Sequence, residues 1–311
     1  MKAIEAVGLG KDYGAKRALE AVSFDVEEGD AVALIGVNGA GKTTLLRILA
    51  TLLKPSTGFA RVMGMDGRFR APAIRRAIGY MPDRVGMEED LTVEEYLDFF
   101  AGIHGLGSAA RAGCVAGLVT LLGLEEVAGQ PCGSLSRGMQ QRVGLARTLV
   151  HNPSVLLLDE PAANLDPRAR IEIREVLKEL RRMGKTVLIS SHILMELSGL
   201  CNKIVLIDRG RLVYAGTVAE VAGRLRTKKR IRVQVLGDAA RFREALKSEP
   251  AVEDVLDSEG ALTVVLKEGV EDYSFIVGRV VREGVVLHAL REEEPGLEEI
   301  FMRLTGRREG P

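Results

Sequence analysis

The segment Gly36-Val-Asn-Gly-Ala-Gly-Lys-Thr43 matches the pattern G-x-x-x-x-G-K-[ST] in full. It follows an apolar run, 31–35, and precedes a stretch with helical periodicity, 43–53. The glycines allow the backbone to curl so that consecutive N–H groups point at phosphate oxygens, and the following helix adds its positive N-terminal end. Strand, glycine-rich loop and helix in this order predict a phosphate-binding loop within an α/β domain.

The loop residues are predicted to hold a nucleotide through backbone and side-chain contacts. Lys42 places an ammonium near the β- and γ-phosphates, and the Thr43 hydroxyl can ligate Mg²⁺. Thr44 is expected to add a contact at the start of the helix. The other predicted contacts come from Asn38, Gly39, Ala40 and Gly41. The sequence therefore predicts ATP and Mg²⁺ as cofactors.

Two adjacent carboxylates follow a second apolar run, 155–158. Such a run is typical of a strand buried on both faces, and Asp159 would emerge at its carboxyl end. There it can hold Mg²⁺ beside the Thr43 hydroxyl, directly or through water. Glu160 points elsewhere and can polarise the attacking water as general base. The pattern is weak alone, because many buried strands end in acids that cap the next element. Downstream of a phosphate-binding loop it indicates catalysis.

Short Val-, Ile- and Leu-rich runs alternate with longer helical patterns up to about residue 220. This alternation predicts an α/β domain with a largely parallel central sheet. The predicted strands are 31–35, 78–81, 155–158, 186–190 and 203–208. The predicted helices are 43–53, 93–100, 140–150 and 168–183.

A basic stretch, Gly223-Arg-Leu-Arg-Thr-Lys-Lys-Arg230, interrupts the alternation. We interpret it as a linker, because charge runs are more often solvated than bound to nucleic acid. Beyond it the pattern predicts strands at 231–236, 251–256, 261–266 and 285–291 and helices at 239–248, 271–283 and 296–304. The resulting βαββαβ order is typical of a small ferredoxin-like α+β domain. The predicted organisation is a domain over 1–222, a linker over 223–229 and an accessory domain over 230–311.

Composition limits the classes of function. Lys plus Arg and Asp plus Glu both number 43, so the net charge is zero and no nucleic-acid partner is expected. No apolar run reaches the roughly 18–20 residues that cross a bilayer, and the N-terminus lacks the apolar core of a secretory signal. Cys114, Cys132 and Cys201 lack metal-ligand spacing and are expected to be reduced thiols. The expected location is cytoplasmic.

Further motifs resemble, in order, those of the ATP-binding cassette (ABC) ATPases. Ser134-Leu-Ser-Arg-Gly-Met-Gln-Gln-Arg142 resembles the family's signature motif and lies upstream of the two carboxylates, as the family requires. Asn164-Leu-Asp166 resembles the D-loop, and Ser190-Ser-His192 resembles the switch-histidine segment. Tyr13 lies where an aromatic ring usually stacks on adenine. The resemblance covers about residues 1–220 and implies a P-loop NTPase fold, a RecA-like core with a helical subdomain.

The resemblance also implies a mechanism. Two copies, or this chain and a paired cassette, would face head to tail, each signature motif closing over the other's ATP. Ser136 and the Gly138 backbone would contact the opposing γ-phosphate. His192 would hold the γ-phosphate and the attacking water, while Asp166 would link the two sites. Hydrolysis then releases the dimer, a switch driven by differential nucleotide contacts. Taken singly, these residues are more often capping or packing residues, so the ordered set carries the inference.

Several positions depart from the family pattern. Asp83 stands where the Q-loop glutamine is usual; an ionised Asp can accept from a Mg²⁺-bound water but cannot donate as an amide does. We therefore predict a metal role for Asp83 and leave its role in coupling open. Arg137 and Met139 replace the commoner Gly and Gln, and Arg137 either adds charge near the opposing nucleotide or faces solvent. Val37 replaces a common Pro, which is expected to be harmless.

The segment 294–305 resembles the tail of bacterial and archaeal ABC subunits that energise drug, antibiotic or polysaccharide export and pair with a separate membrane subunit. An amphipathic helix covering the small sheet explains the same residues equally well. The resemblance predicts an ATPase beneath a separately encoded permease, at the inner face of the cell membrane. The segment between Asp83 and Ser134 would be the docking surface.

Two other functions are weighed against export. One is a soluble ABC ATPase acting on nucleic acid, ribosomes or cofactor assembly; the zero net charge and the single cassette disfavour it. The other is a scaffold with an inactive nucleotide site, which is disfavoured because Lys42, Thr43, Asp159, Glu160 and His192 are all present.

Overall fold

The chain divides into two compact units, Met1–Thr217 and Val218–Pro311. The computed structural model of the chain describes residues 1–163, 165–191, 199–217, 220, 229–258 and 260–293. Most of the predicted linker, the predicted closing helix at 296–304 and the tail motif lie outside the described residues. Within those ranges, no helix combines the length and apolar character needed to span a membrane.

The first unit contains two sheets and six described helices. Its strands are β1 (Lys2–Tyr13), β2 (Lys16–Glu27), β3 (Ala31–Ile35), β4 (Thr57–Val62), β5 (Met65–Asp66), β6 (Ile78–Met81), β7 (Val155–Asp159), β8 (Thr186–Ser191), β9 (Lys203–Asp208) and β10 (Arg211–Thr217). Its helices are α1 (Lys42–Leu49), α2 (Ala71–Ala77), α3 (Val93–Ile103), α4 (Ser108–Leu121), α5 (Arg137–Leu149) and α6 (Pro167–Arg182).

The central sheet has the strand order β10-β9-β3-β8-β7-β6. The strands from β9 to β6 pair in parallel, and β10 adds an antiparallel edge. Every residue of β3, β7 and β8 is buried, as expected for strands covered on both faces. All five predicted strands are confirmed, each within one residue of its predicted bounds. The α/β class is therefore confirmed for this unit.

A second, antiparallel sheet has the order β2-β1-β4-β5 and was not predicted. Its first two strands are twelve residues long, and their pairing shifts register several times. Those shifts interrupt the alternation of apolar and polar residues by which a strand is recognised. Its buried face joins α1 in the main hydrophobic core.

Helices α3 and α4, with the chain on either side, form an excursion from the central sheet. The two ends of this excursion are joined by backbone hydrogen bonds from Cys132 to Leu91 (2.8 Å) and from Gly133 to Glu89 (3.0 Å). Thr92 then starts α3 in a capping box in which its side chain and that of Glu95 each accept a backbone N–H. The segment 92–131 therefore leaves and rejoins the core at one place.

The second unit is a four-stranded antiparallel sheet with two described helices. Its elements are β11 (Arg230–Leu236), α7 (Ala239–Lys247), β12 (Val252–Ser258), β13 (Ala261–Leu266), α8 (Phe275–Glu283) and β14 (Val286–Glu293), with strand order β12-β13-β11-β14. Phe242 of α7 and Ile276 of α8 are fully buried against the sheet. The observed βαββαβ order agrees with the predicted ferredoxin-like arrangement.

Candidate functional site

The phosphate-binding loop connects β3 to α1 and depends on glycine at three positions. Gly39 and Gly41 have φ of 80° and 109°, in the left-handed region that favours glycine. At Gly36 a Cβ atom would lie 2.4 Å from the carbonyl oxygen of Ile207, too close for any side chain. Gly41 is equally confined, since its Cβ would lie 2.7 Å from the carbonyl of Ala18. The packing of neighbouring strands therefore fixes the loop's curvature.

Helix α1 begins immediately after Gly41, at Lys42, rather than at Thr43 as predicted. It ends at Leu49 and not at the predicted residue 53, because Thr51 takes a left-handed conformation with φ of 59°. Thr43 and Thr44 lie in its first turn and are partly buried. In the loop, Ala40 is buried while Asn38 and Gly39 are exposed. The predicted phosphate-contacting residues thus lie along one continuous stretch.

The Lys42 side chain is only 6% exposed and has two partners. Its ammonium donates a hydrogen bond to the Gly36 carbonyl (2.7 Å) and lies 3.3 Å from Oε1 of Glu160. The predicted phosphate-binding cation and the predicted general base are therefore in direct contact. This places the carboxyl end of β7 beside the loop.

Asp159 and Glu160 are both tied to Ser190 on the adjacent strand β8. The Ser190 hydroxyl, completely buried, donates to Oδ1 of Asp159 (2.6 Å) and accepts from the Glu160 backbone N–H (3.0 Å). Glu160 has a φ of 49°, in the left-handed region. The two neighbouring carboxylates have different partners, the Lys42 ammonium for Glu160 and the Ser190 hydroxyl for Asp159, and can perform different tasks. Ser190 was noted in the sequence only as part of the switch-histidine segment, and this positioning role was not predicted.

The surroundings of Asp159 bear on the predicted Mg²⁺ site. Asp159 is 1% exposed, and its Oδ2 atom has no hydrogen-bond partner among the described residues. A buried carboxylate oxygen without a protein donor is costly unless a cation or an ordered water lies against it. The donor set therefore fits Mg²⁺. Asp83 is exposed in the loop that follows β6, the strand next to β7 in the sheet.

Tyr13 is the last residue of β1 and is 47% exposed. The ammonium of Lys11 lies 5.4 Å from its ring centroid. This exposure is compatible with stacking on adenine, which stays a prediction.

Ser136, Gly138 and Asp166 lie in a second cluster, where the starts of α5 and α6 meet. A Cβ atom on Gly138 would lie 3.2 Å from the Cβ of Ala169, which shows how closely the two helices approach. Ser136 caps α5, and its hydroxyl accepts a backbone N–H of the first turn at 3.3 Å. Asp166 caps α6 by accepting from the N–H groups of Ala169 and Arg168, both at 3.0 Å, and these bonds lower its pKa. Both helices therefore begin with ordered caps.

His192 and Asn164 lie outside the described residues, so the predicted contact of His192 with a γ-phosphate stays a prediction. Ser191, immediately before His192, is the last residue of β8. The histidine therefore follows a strand paired directly with both β3 and β7.

A groove of about 910 Å³ lies between α3 and α4. Its floor is apolar, and Phe99 and Ile103 are 52% and 61% exposed. Glu94 and Glu95 supply negative charge along α3, whereas Asp98 pairs with Arg111 of α4 at 3.3 Å. This groove belongs to the segment predicted to dock a membrane subunit.

A group of polar contacts around the buried Tyr96 joins α3 to the loop after Asp83 and to α5. The Tyr96 hydroxyl donates to the carbonyl of Gly86 (3.1 Å), and Arg147 of α5 donates to the same hydroxyl (3.0 Å) and to the same carbonyl (3.3 Å). The Tyr96 side chain is 1% exposed, and burial raises its pKa. A displacement of the loop after Asp83 would therefore be transmitted to both helices.

Comparison with known proteins gives consistent results. The family model described as "ABC transporter" matches residues 19–163. The chain is 31% identical to the linearmycin resistance ATP-binding protein LnrL of Bacillus subtilis (strain 168), over 98% of both chains. It is 33% identical to the daunorubicin resistance ATP-binding protein DrrA3 of Streptomyces coeruleorubidus, over 98% of this chain and 96% of the relative.

Solved structures resemble the first unit. The ATP-binding subunit of an ABC transporter aligns with a TM-score of 0.65 and 31% identity, covering 71% of this chain and 92% of that one. A dimeric ATP-binding cassette in a post-hydrolysis state, bound to ADP and phosphate, aligns with a TM-score of 0.63 and 26% identity. It covers 69% of this chain and 98% of that one.

Proposed function

Because this chain belongs to the ABC transporter family of ATP-binding proteins, we propose that it energises export by a separately encoded membrane permease. The chain is an ATP-binding and ATP-hydrolysing subunit. The observation that carries the export proposal is its end-to-end similarity to relatives named for linearmycin and daunorubicin resistance. That similarity extends beyond the cassette and includes the second unit.

Each residue of the proposed catalytic site has a distinct task. The loop N–H groups and Lys42 hold the β- and γ-phosphates. Thr43 and Asp159 would hold Mg²⁺, which would supply positive charge beside the transferred phosphoryl group. Glu160, whose carboxylate lies beside the Lys42 ammonium, accepts a proton from the attacking water. The Ser190 hydroxyl holds the Asp159 carboxylate and the backbone of Glu160.

Dimerisation completes the proposed site. In a head-to-tail pair, the capped start of α5, with Ser136 and Gly138, would close over ATP in the other copy. Asp166 would face the partner copy next to the start of α5. His192 would contact the γ-phosphate of the ATP bound by its own chain. The dimeric cassette among the similar structures supports this arrangement.

The groove between α3 and α4 is the proposed docking site of the permease. Its exposed apolar side chains and the carboxylates of Glu94 and Glu95 fit a short amphipathic helix that carries apolar residues on one face and basic residues beside them. The junction formed by Tyr96, Arg147 and Gly86 would link the docked helix to the nucleotide site. Through that contact, the chain would lie at the cytoplasmic face of the membrane.

Affinity purification from detergent-solubilised host membranes tests this function. A tagged Glu160→Gln chain, purified with ATP, is expected to bring a multi-span membrane protein in near-equal amount. Replacing Phe99 and Ile103 by Ser should abolish that association and leave ATP binding unchanged. Recovery of ribosomes, nucleic acid or soluble assembly factors without a membrane protein would favour a soluble ATPase and refute export.

A further inference from the structure

A basic and aromatic surface lies on the chain between β4 and β6. Residues 61–84 contain six arginines and only two aspartates, in a chain of zero net charge. We use the name arginine patch for Arg61, Arg68, Arg70, Arg75 and Arg76 together with Phe59 and Phe69. All five arginines are exposed, and Phe69 is 76% exposed. Neither the nucleotide site nor the groove between α3 and α4 uses these residues.

Guanidinium groups and aromatic rings alternate across this surface. The guanidinium carbon of Arg61 lies 4.8 Å from the ring centroid of Phe59. That of Arg68 lies 4.6 Å from the same centroid and 5.4 Å from that of Phe69. Cation–π contacts of this kind hold the rings and charges together. They leave Phe69 at the outer end of the stack.

Two of the arginines are neutralised locally. Arg61 pairs with Glu5 at 2.8 Å, and Arg68 pairs with Asp66 at 2.7 Å. The guanidinium of Arg68 holds the pKa of Asp66 at about 2, so the Asp66 carboxylate stays ionised. These two arginines therefore act mainly as a scaffold for the rings.

The other three arginines carry the net charge of the patch. Arg75 donates a hydrogen bond to the hydroxyl of Thr51 (3.1 Å), which orients its side chain without neutralising it. Across the part of the chain that the structure describes, no carboxylate forms an ion pair with Arg70, Arg75 or Arg76. Three positive charges and one exposed aromatic ring thus lie within the segment 69–76, on and just before the short helix α2.

We propose that the arginine patch binds an anionic phospholipid surface directly. Arg70, Arg75 and Arg76 lie against lipid phosphates, and Phe69 enters the headgroup region. Charge complementarity favours this ligand, and the rings favour lipid over RNA. Phe59 already has guanidinium groups against it, which a stacking base would have to displace, whereas a bilayer needs only outward charges and one protruding ring. The inference does not depend on the permease, because the cassette itself makes the contact.

Co-sedimentation of the full chain with lipid vesicles tests this proposal. Binding is expected to vesicles of phosphatidylcholine mixed with phosphatidylglycerol, and it should weaken with added salt because exposed charges are screened. One arginine near an anionic surface contributes roughly fivefold to partitioning, so replacing Arg70 and Arg76 by Ala should weaken binding roughly 25-fold. Phe69→Ala should weaken it roughly tenfold through the lost apolar burial.

A matched control lies on α6 and just beyond it. Arg182 and Met183 are also an exposed arginine beside an exposed large apolar residue, 72% and 58% exposed. Replacing both by Ala should leave vesicle binding unchanged, and all the variants should keep basal ATPase activity. Equal binding to vesicles without phosphatidylglycerol, equal loss in the control variant, or binding of RNA but not of vesicles would overturn the proposal. None of these outcomes alters the co-purification test of export.

Discussion

The ammonium nitrogen of Lys42 lies 3.3 Å from Oε1 of Glu160, so the proposed phosphate-binding cation and the proposed general base form an ion pair. A bound γ-phosphate would compete with that carboxylate for the same ammonium. Because the Lys42 side chain is almost fully buried, the exchange of one anion for another keeps its charge compensated. Nucleotide binding would thereby free Glu160 to face the attacking water.

Glu160→Gln should separate ATP binding from hydrolysis. The amide cannot accept a proton from water, so kcat is expected to fall by roughly 10² or more. ATP affinity should be equal or higher, because the amide competes less well than a carboxylate for Lys42. Steady-state ATPase assays and equilibrium binding of a fluorescent ATP analogue would measure both. Lys42→Ala is the contrasting variant and should lose binding itself; a Gln variant with near-normal turnover would exclude Glu160 as the base.

Ser190→Ala should impair catalysis without removing any group that contacts phosphate. The substitution deletes the hydrogen bonds of one hydroxyl to Asp159 and to the Glu160 backbone. Loss of such positioning contacts typically costs roughly tenfold to a hundredfold in activity. The expected result is a lower kcat and a higher Mg²⁺ concentration for half-maximal activity. ATP binding measured without Mg²⁺ should change little. Ser23→Ala, which removes a surface hydroxyl that accepts one backbone N–H, is the control and should retain full activity.

Asp30 should stabilise the first unit at neutral pH but not in acid. Burial opposes ionisation of Asp30, yet hydrogen bonds from Lys203 (2.8 Å), Asn202 (2.8 Å) and the Glu27 N–H (2.9 Å) lower its pKa overall. The pKa of Asp30 in the folded state lies below its value in the unfolded state, which is near 4. The contribution of Asp30 to stability is therefore complete above roughly pH 4. It is lost as pH falls through the lower folded value.

The substitution Asp30→Asn is therefore expected to cost about 2 kcal/mol at pH 7. Urea unfolding followed by far-UV circular dichroism would give the difference from the parent protein at each pH. That difference should persist at pH 5 and shrink below roughly pH 4. A difference that stayed constant into acid would show that packing, and not the charge, is responsible.

His104 and His151 should cause the stability of the first unit to fall as pH is lowered from neutral to mildly acidic values. Their rings stack with centroids 4.0 Å apart, and burial lowers the pKa of both. The unfolded chain, with a histidine pKa near 6.5, then takes up protons before the folded chain does. Stability is complete above that value and falls as pH drops through the lower folded values. His104→Phe keeps a ring in the stack and should flatten the decline, whereas His288→Phe, in the second unit, should not change the stability of the first unit.

The sequence predicted those elements whose local residue pattern reflects their surroundings in the folded chain. The uninterrupted apolar runs of β3 and β7 reflect burial on both faces, and the loop from Gly36 to Thr43 requires its own glycines. The long strands β1 and β2 were missed because their register shifts break the two-residue period. The end of α1 was misplaced because the left-handed turn at Thr51 carries no glycine to mark it.

The same distinction applies to the site. Asp159 and Glu160 were identified from a strand ending beside a phosphate-binding loop, which is a local signal. The role of Ser190 depends on pairing between β7 and β8 across 31 positions of sequence, and a serine at the end of a strand has no distinguishing pattern. The arginine patch was not recognised because its charges are spaced along a strand, a turn and a helix. Only the structure shows which of these arginines have carboxylate partners.

The paired ends of the excursion at 92–131 have a consequence for how such proteins diversify. Since the Cys132–Leu91 and Gly133–Glu89 hydrogen bonds close it at its base, its interior can change in length or composition while the strands that carry the catalytic groups keep their paths. A segment taken from another cassette could be grafted between these two anchor points. Partner choice and hydrolysis can therefore evolve at different rates within one polypeptide.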